Sequence, residues 1–216
     1  LRQSETLPVQ NRNKFSLNLI KSEAAQVVKN RRTAGYTIVL GLIFGMFLSY
    51  ISTAWQIFEV SYKLGEEFPI YFAINALALG AASMINAKLV MIYGMRYLSM
   101  RAMGTFCVIA VAFLPVVVAY DGVPPLWAFM AFCMSSFFCV SILFGNLNAM
   151  AMEPMGKIAG MAAALIGSVS TFISLPIGVA IGQLFEGTLT PMVASFALIG
   201  AAAFAMLYKT SKISDK

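Results

Sequence analysis

The 216-residue chain has no histidine, so any mechanism that needs an imidazole base, acid or metal ligand is excluded. Charge is scarce: 11% of residues are Asp, Glu, Lys or Arg, against about 25% in a soluble domain. Cysteine is limited to Cys107, Cys133 and Cys139, all within apolar runs. That odd number without metal-type spacing argues against a disulfide framework or a zinc centre. No phosphate-binding loop of the Walker type is present. The first 30 residues contain no apolar core of signal-peptide type. What the chain has instead is apolar surface. Hydrophobic residues make up 60% of it, and the mean hydropathy is +0.81. A soluble domain, a disordered chain and a nucleic-acid binder are all excluded by that balance.

A helix needs about 20 mainly apolar residues to cross a bilayer. Six charge-free windows meet that length: 33–58, 68–87, 102–120, 122–152, 158–185 and 187–208. They are continuous rather than alternating, which excludes a transmembrane barrel. Proline and glycine fall at their ends (Gly65, Pro69, Gly94, Gly122, Pro124, Pro125, Gly156 and Gly187), so the connections are short and neighbouring spans antiparallel. The sequence predicts a cytoplasmic linker over 1–32, a six-helix transmembrane domain over 33–208 and a tail over 209–216.

The 15 basic residues against 9 acidic ones give a net charge of +6. Of the basic residues, 14 fall on the side of the two termini, and Lys63 alone lies opposite. Five acids, Glu59, Glu66, Glu67, Asp121 and Glu186, share that opposite side. Cytoplasmic loops are the ones enriched in Lys and Arg, so both termini are expected in the cytoplasm. The basic excess then reflects topology, not a nucleic-acid patch. Within residues 14–32, Leu17, Ile20, Ala24, Val27 and Val28 share one helical face, which predicts an amphipathic helix on the membrane surface.

No Asp, Glu, Lys or Arg sits mid-span, so this chain supplies no evident proton-coupling carboxylate. An intramembrane enzyme lacks nucleophile, base and metal ligands alike, and no cofactor is implied. Polar residues within the spans are Tyr50, Gln56, Asn75, Asn86, Asn146 and Asn148. Each is suited to a substrate path or to a hydrogen bond with a neighbouring helix. The aromatics Phe132, Phe137, Phe138 and Phe144 fit either an apolar binding wall or a lipid-facing surface. Small-residue stripes occur at Gly41/Gly45, Gly178/Gly182, Ala76/Gly80/Ser83 and Gly160/Ala164/Gly167/Thr171. They are expected to let helices of this chain pack closely against each other.

Several stretches resemble the C-terminal half of a major facilitator superfamily (MFS) transporter. Ser4-Glu5-Thr6-Leu7-Pro8 before a basic leader resembles the superfamily's central loop, most like that of the bicyclomycin-resistance (Bcr/CflA) drug:proton antiporters. Phe72-Ala73-Ile74-Asn75, with Ala82-Ser83 and Asn86, resembles that group's eighth helix. Lys88-Leu89-Val90 with Gly94-Met95-Arg96 resembles the second copy of the loop motif, although Ile92 and Tyr97 stand where basic residues are usual. Asn146 to Pro154, followed by Ala159 to Gly167, resembles the junction of the tenth and eleventh helices.

The resemblance implies an all-α fold of two inverted three-helix repeats. It also implies a secondary transporter of drugs or other small molecules, coupled to protons, in a bacterial inner membrane. Its N-terminal six-helix half would lie upstream, in keeping with Leu1 in place of an initiating methionine. Candidate cavity residues are Tyr50, Asn75, Phe137 and Asn146, and candidate loop-motif residues are Lys88, Gly94 and Arg96. By the same analogy the first and fourth spans line the cavity, the third and sixth face lipid, and the second and fifth pack between. The alternatives are a free-standing six-helix protein acting as a homodimeric transporter or channel, or a non-transporting scaffold.

Overall fold

The structure is a computed structural model that describes residues 17–213. The Ser4–Pro8 segment, Lys14 and the last three residues of the tail lie outside the described residues. A short helix, α1 (Leu17–Lys29), precedes six long ones: α2 (Arg31–Gln56), α3 (Phe68–Tyr93), α4 (Met95–Ala119), α5 (Leu126–Met152), α6 (Ala159–Gln183) and α7 (Thr190–Ile213). All six long helices have the length and apolarity to cross a membrane, and no strand occurs among the described residues. The chain is therefore an integral membrane protein.

Inside hydrocarbon no water can satisfy a backbone N–H or C=O, so each span must be helical along its length. The helices run past the charge-free windows: Lys88 lies inside α3, and Arg96 and Arg101 lie in the first turns of α4. Basic side chains near helix ends extend to the headgroups, so a charge ends the hydrophobic window without ending the helix. Asn30 caps α2, its side-chain oxygen accepting from the N–H groups of Arg32 and Thr33 at 3.0 Å each. A π-helical turn, Ile57–Ser61, extends α2 at its far end.

The packing has an internal two-fold pattern. Exchanging the first three spans for the last three maps the α2–α6 contact onto α5–α3, and α4–α5 onto α7–α2. The α2–α5 and α4–α7 contacts map onto themselves. These are two inverted three-helix repeats. α2 and α5 are the most buried of the spans.

The tightest approach is between α2 and α6, and glycine makes it possible. A Cβ on Gly41 would stand 2.8 Å from Ile173 Cβ, and one on Gly45 2.8 Å from Ile177 Cβ. From the other side, Gly178 meets Leu48 at 3.1 Å and Gly182 meets Thr53 at 3.4 Å. Both GxxxG pairs thus lie in the one α2–α6 seam, each receiving side chains of the other helix. The other two stripes depart from expectation. Ala76, Gly80 and Ser83 on α3, and Gly160, Ala164, Gly167 and Thr171 on α6, are all exposed. A Cβ at Gly80, Gly160 or Gly167 would meet nothing within 4 Å. Two faces of one helix look alike in composition, and only the partner's position separates them.

On the far side the turns are tied together. Ser61 Oγ donates to Gly187 O at 3.0 Å, Tyr62 OH to Pro124 O at 2.9 Å, and Leu189 N to Gly122 O at 2.8 Å. Gly122 has φ +88°, and a Cβ there would lie 2.6 Å from Thr188 Cβ, so both conformation and space demand glycine. On the termini side, Arg32 Nη2 at the start of α2 pairs with Glu153 Oε2 at the end of α5, 2.8 Å apart. α1 packs against α6 and α2 and buries Val27, while Val28 is exposed.

The glycine contact yields a stability prediction. Gly45→Ala should destabilise the intact polypeptide by about 1–3 kcal/mol, because overpacking moves helix backbones apart. Gly104→Ala, where the new Cβ would meet only Phe204 at 3.8 Å, should be neutral or mildly stabilising. Thermal unfolding of the two variants in the same detergent distinguishes them.

Candidate functional site

Three of the four candidate cavity residues come together. Tyr50 projects from α2, Asn75 from α3 and Phe137 from α5. Asn75 Nδ2 donates to Tyr50 OH at 2.9 Å and approaches Met130 Sδ at 3.8 Å. The Tyr50 ring meets Phe137 edge-on at 4.6 Å between centroids and lies parallel to Phe72 at 6.3 Å. Phe47 closes the group against Phe137 at 5.4 Å. Tyr50, Asn75 and Phe137 are each at most 2% exposed, so the group is interior to the six-helix unit rather than on its surface.

One polar atom in this group is unsatisfied. Asn75 Oδ1 is buried without a hydrogen-bond partner. Burying such an acceptor unpaired costs about 1–3 kcal/mol. Phe47, Tyr50, Phe72, Asn75 and Phe137 line a small cavity of about 30 Å³. That is room for about one water molecule, not for a drug-sized ligand, which needs a pocket of roughly 300 Å³ or more.

Asn146 lies apart from this group. Its amide and that of Asn86 exchange two hydrogen bonds, at 3.0 and 3.1 Å, which join α5 to α3. A reciprocal amide pair satisfies both side chains without a ligand. Ser141 Oγ, which donates to Leu79 O at 2.8 Å, adds a second link between the same helices. Gln56 and Asn148 are exposed. The aromatic residues of α5 divide. Phe132 packs on Phe113 and Phe196 toward α4 and α7, whereas Phe137 and Phe144 pack on aromatic rings of α2. They do not form one wall.

Two of the three loop-motif residues, Gly94 and Arg96, meet at the termini-side end. Gly94 is the single residue between α3 and α4, and its φ of +79° is one that glycine alone adopts without strain. Gly94 and Arg96 line a crevice of about 550 Å³ with Arg32, Tyr36 and Glu153. Lys88 is exposed on α3 and is not among the lining residues. The sequence drew no attention to Arg32, Tyr36 or Glu153 as a group. The only signal available was an acid at the end of the fourth span on a side otherwise rich in basic residues. Among the described residues no group of His, Cys, Asp or Glu is placed to hold a metal ion.

The chain is 29% identical over 213 residues to an uncharacterized MFS-type transporter, YdgK, of Bacillus subtilis (strain 168). The aligned stretch is 97% of this chain and 52% of that protein, so this chain spans about half the length of the curated relative it matches. No protein-family model matches, and no solved structure does. The likeness supports a transporter of the MFS type without singling out the Bcr/CflA group.

The amide pair yields a second prediction. Asn146→Leu should cost about 1 kcal/mol by orphaning Asn86, in the range measured for polar contacts between membrane helices. Asn86→Leu with Asn146→Leu should cost less than the sum of the single changes, since no amide is then left unpaired. Unfolding of the four proteins in a double-mutant cycle measures this coupling.

Proposed function

We propose that this chain is the C-terminal half of a secondary active transporter of the major facilitator superfamily, working by alternating access. The observation that carries the reading is the six-helix inverted repeat, matched along almost its whole length to half of an MFS-type transporter. In this architecture two six-helix halves rock around a site near the bilayer midplane. The exposed small-residue stripes of α3 and α6 suit that arrangement. They offer smooth surfaces on which a second half can close, whereas Gly41, Gly45, Gly178 and Gly182 are already used within this half.

The finer reading is a proton-coupled exporter of drugs or other small molecules in a bacterial inner membrane, with both termini cytoplasmic. The segments resembling the Bcr/CflA group support it, as does the one-sided distribution of basic residues. A driving ion must bind the two access states with different affinity. No Asp, Glu, Lys or Arg of this chain stands mid-span, so in this reading proton coupling falls to carboxylates of the other half. Tyr50 and Asn75 are then the polar groups of this half proposed to lie nearest the substrate path; both are at most 2% exposed in this arrangement, and Asn75 Oδ1 has no partner.

Two measurements test this. In the intact transporter, dye and drug efflux should stop when the proton gradient is dissipated. Asn75→Leu and Tyr50→Phe should change efflux of some drugs about 5–30-fold, equivalent to one or two kcal/mol. Equal efflux of several chemically distinct drugs, at equal expression, would return both residues to plain packing roles. For topology, a membrane-impermeant maleimide should label Lys63→Cys in whole cells and Lys209→Cys only after permeabilisation. The reverse pattern would overturn the orientation.

A further inference from the structure

We propose that an anionic phospholipid of the termini-side leaflet binds this chain, with one acyl chain in the groove between α1, α2 and α6 and its headgroup against Lys21, Lys29 and Arg31. The groove has a volume of about 190 Å³. Val27 and Val28 form its α1 wall, and Leu165, Ile166 and Val169 form its α6 wall. The first two turns of α2 complete it. Thr33 and Thr37 are the only polar side chains among its nine lining residues. Both are at most 5% exposed, and Thr37 Oγ1 donates to Thr33 O at 2.7 Å. Neither hydroxyl is open to a polar ligand, so the groove suits hydrocarbon.

What covers the groove follows from its depth and its flanks. Two of its walls belong to membrane-crossing helices, near their termini-side ends. Val28, Ile38 and Val169 line it and remain 65%, 36% and 39% exposed, so it opens outward into the bilayer. Leu165, Val169 and Phe172 share one face of α6 by their spacing, and Phe172 is exposed. An apolar track therefore leads from the groove toward mid-span. That track is turned away from the small-residue stripe of α6. Val169 follows Gly167 by two residues, about 200° around the helix. A lipid on this flank leaves the stripe free for another partner.

The cations stand where a lipid in the groove meets water. Lys21 is seven residues from Val28 on α1, and Arg31 is seven from Ile38 on α2. Each therefore shares a helical face with an exposed residue of the groove. Lys29 follows Val28 directly, and all three cations are exposed. Arg32, by contrast, is engaged by Glu153. Glu23 is the one acid of α1, and α2 has none as far as Ile38. Three cations against one acid favour an anionic headgroup, at about fivefold in affinity per charge near a membrane surface.

The test uses the intact polypeptide in detergent, with phosphatidylglycerol or phosphatidylcholine of equal chain length added. Native mass spectrometry reads the lipid retained. Phosphatidylglycerol should be held about 25-fold more tightly, fivefold for each of two net charges. Lys29→Gln with Arg31→Gln should remove most of that preference. Val169→Trp fills the groove without changing charge, and should weaken retention of both lipids about tenfold or more. Leu198→Trp, at an exposed site on α7, should bind as the unmodified protein does. Dihexanoyl phosphatidylglycerol carries the same headgroup on short chains and should compete poorly; this measurement needs no variant. The proposal is overturned if the two lipids are retained equally or if Lys29→Gln with Arg31→Gln keeps the preference. It is equally overturned if Val169→Trp binds like Leu198→Trp, or if the short-chain lipid competes as well as the long-chain one.

Discussion

The close approach of α2 to α6 is the contact on which the rest of this unit depends. In a bilayer there is little hydrophobic gain from bringing two apolar helices together, because lipid tails are as apolar as leucine. Association rests on packing, and packing improves as backbones approach. Gly41 and Gly45 receive Ile173 and Ile177, while Gly178 and Gly182 receive Leu48 and Thr53. Ser170 Oγ adds a hydrogen bond to Thr37 O at 3.3 Å across the same seam. With α6 fixed on α2, the remaining face of α2 turns toward α5 and α7, and the two-fold pattern seats α3 on α5 in the matching way. The α3–α5 seam has no facing glycine pairs. It uses Ser141 and the Asn86–Asn146 amides instead, so polar bonds do there what close packing does at α2–α6.

That difference explains why the interior polar residues fall into two kinds. Asn86 and Asn146 satisfy each other and act as a fastener. Tyr50 and Asn75 share one hydrogen bond and leave Asn75 Oδ1 unpaired beside a small cavity. A fully paired network stabilises one arrangement, and a partly paired one leaves free energy available to an incoming group. The aromatic rings of Phe47, Phe72 and Phe137 keep that cavity apolar, which raises the cost of the missing bond and the gain from making it. This contrast distinguishes the two asparagine sites as structural parts; residue type alone did not.

Much of the architecture is legible in the sequence because membrane folding separates two problems. Span number follows from the length of charge-free runs, and the six helices coincide with the six windows. The short connections follow from proline and glycine at the window ends. Which helix faces which does not follow, because an apolar helix has no polar side to mark its exterior. The four small-residue stripes look equivalent in sequence, yet two are packed and two are exposed. The grouping of Tyr50, Asn75 and Phe137 was hidden for the same reason: three spans contribute one residue each. The helix ends are also less legible than the helices themselves. Charge at Lys88, Arg96 and Arg101 closed the windows, whereas α3 and α4 run on to Gly94 and start just after it.

The distribution of bonds also bears on how such a unit would move. On the far side, Ser61, Tyr62 and Leu189 tie three turns to one another. On the termini side, the Arg32–Glu153 pair links the start of the first span to the end of the fourth. Its side chains are partly exposed, at 30% and 53%, so its worth is modest, on the order of 1 kcal/mol or less. The position matters more than the strength, because it joins the two repeats at the end opposite the tied turns. A bundle fastened at both ends, with its tightest seam along the length of α2, resists internal shear. The surfaces left without partners are those of α3 and α6, where Gly80, Gly160 and Gly167 meet nothing of their own chain.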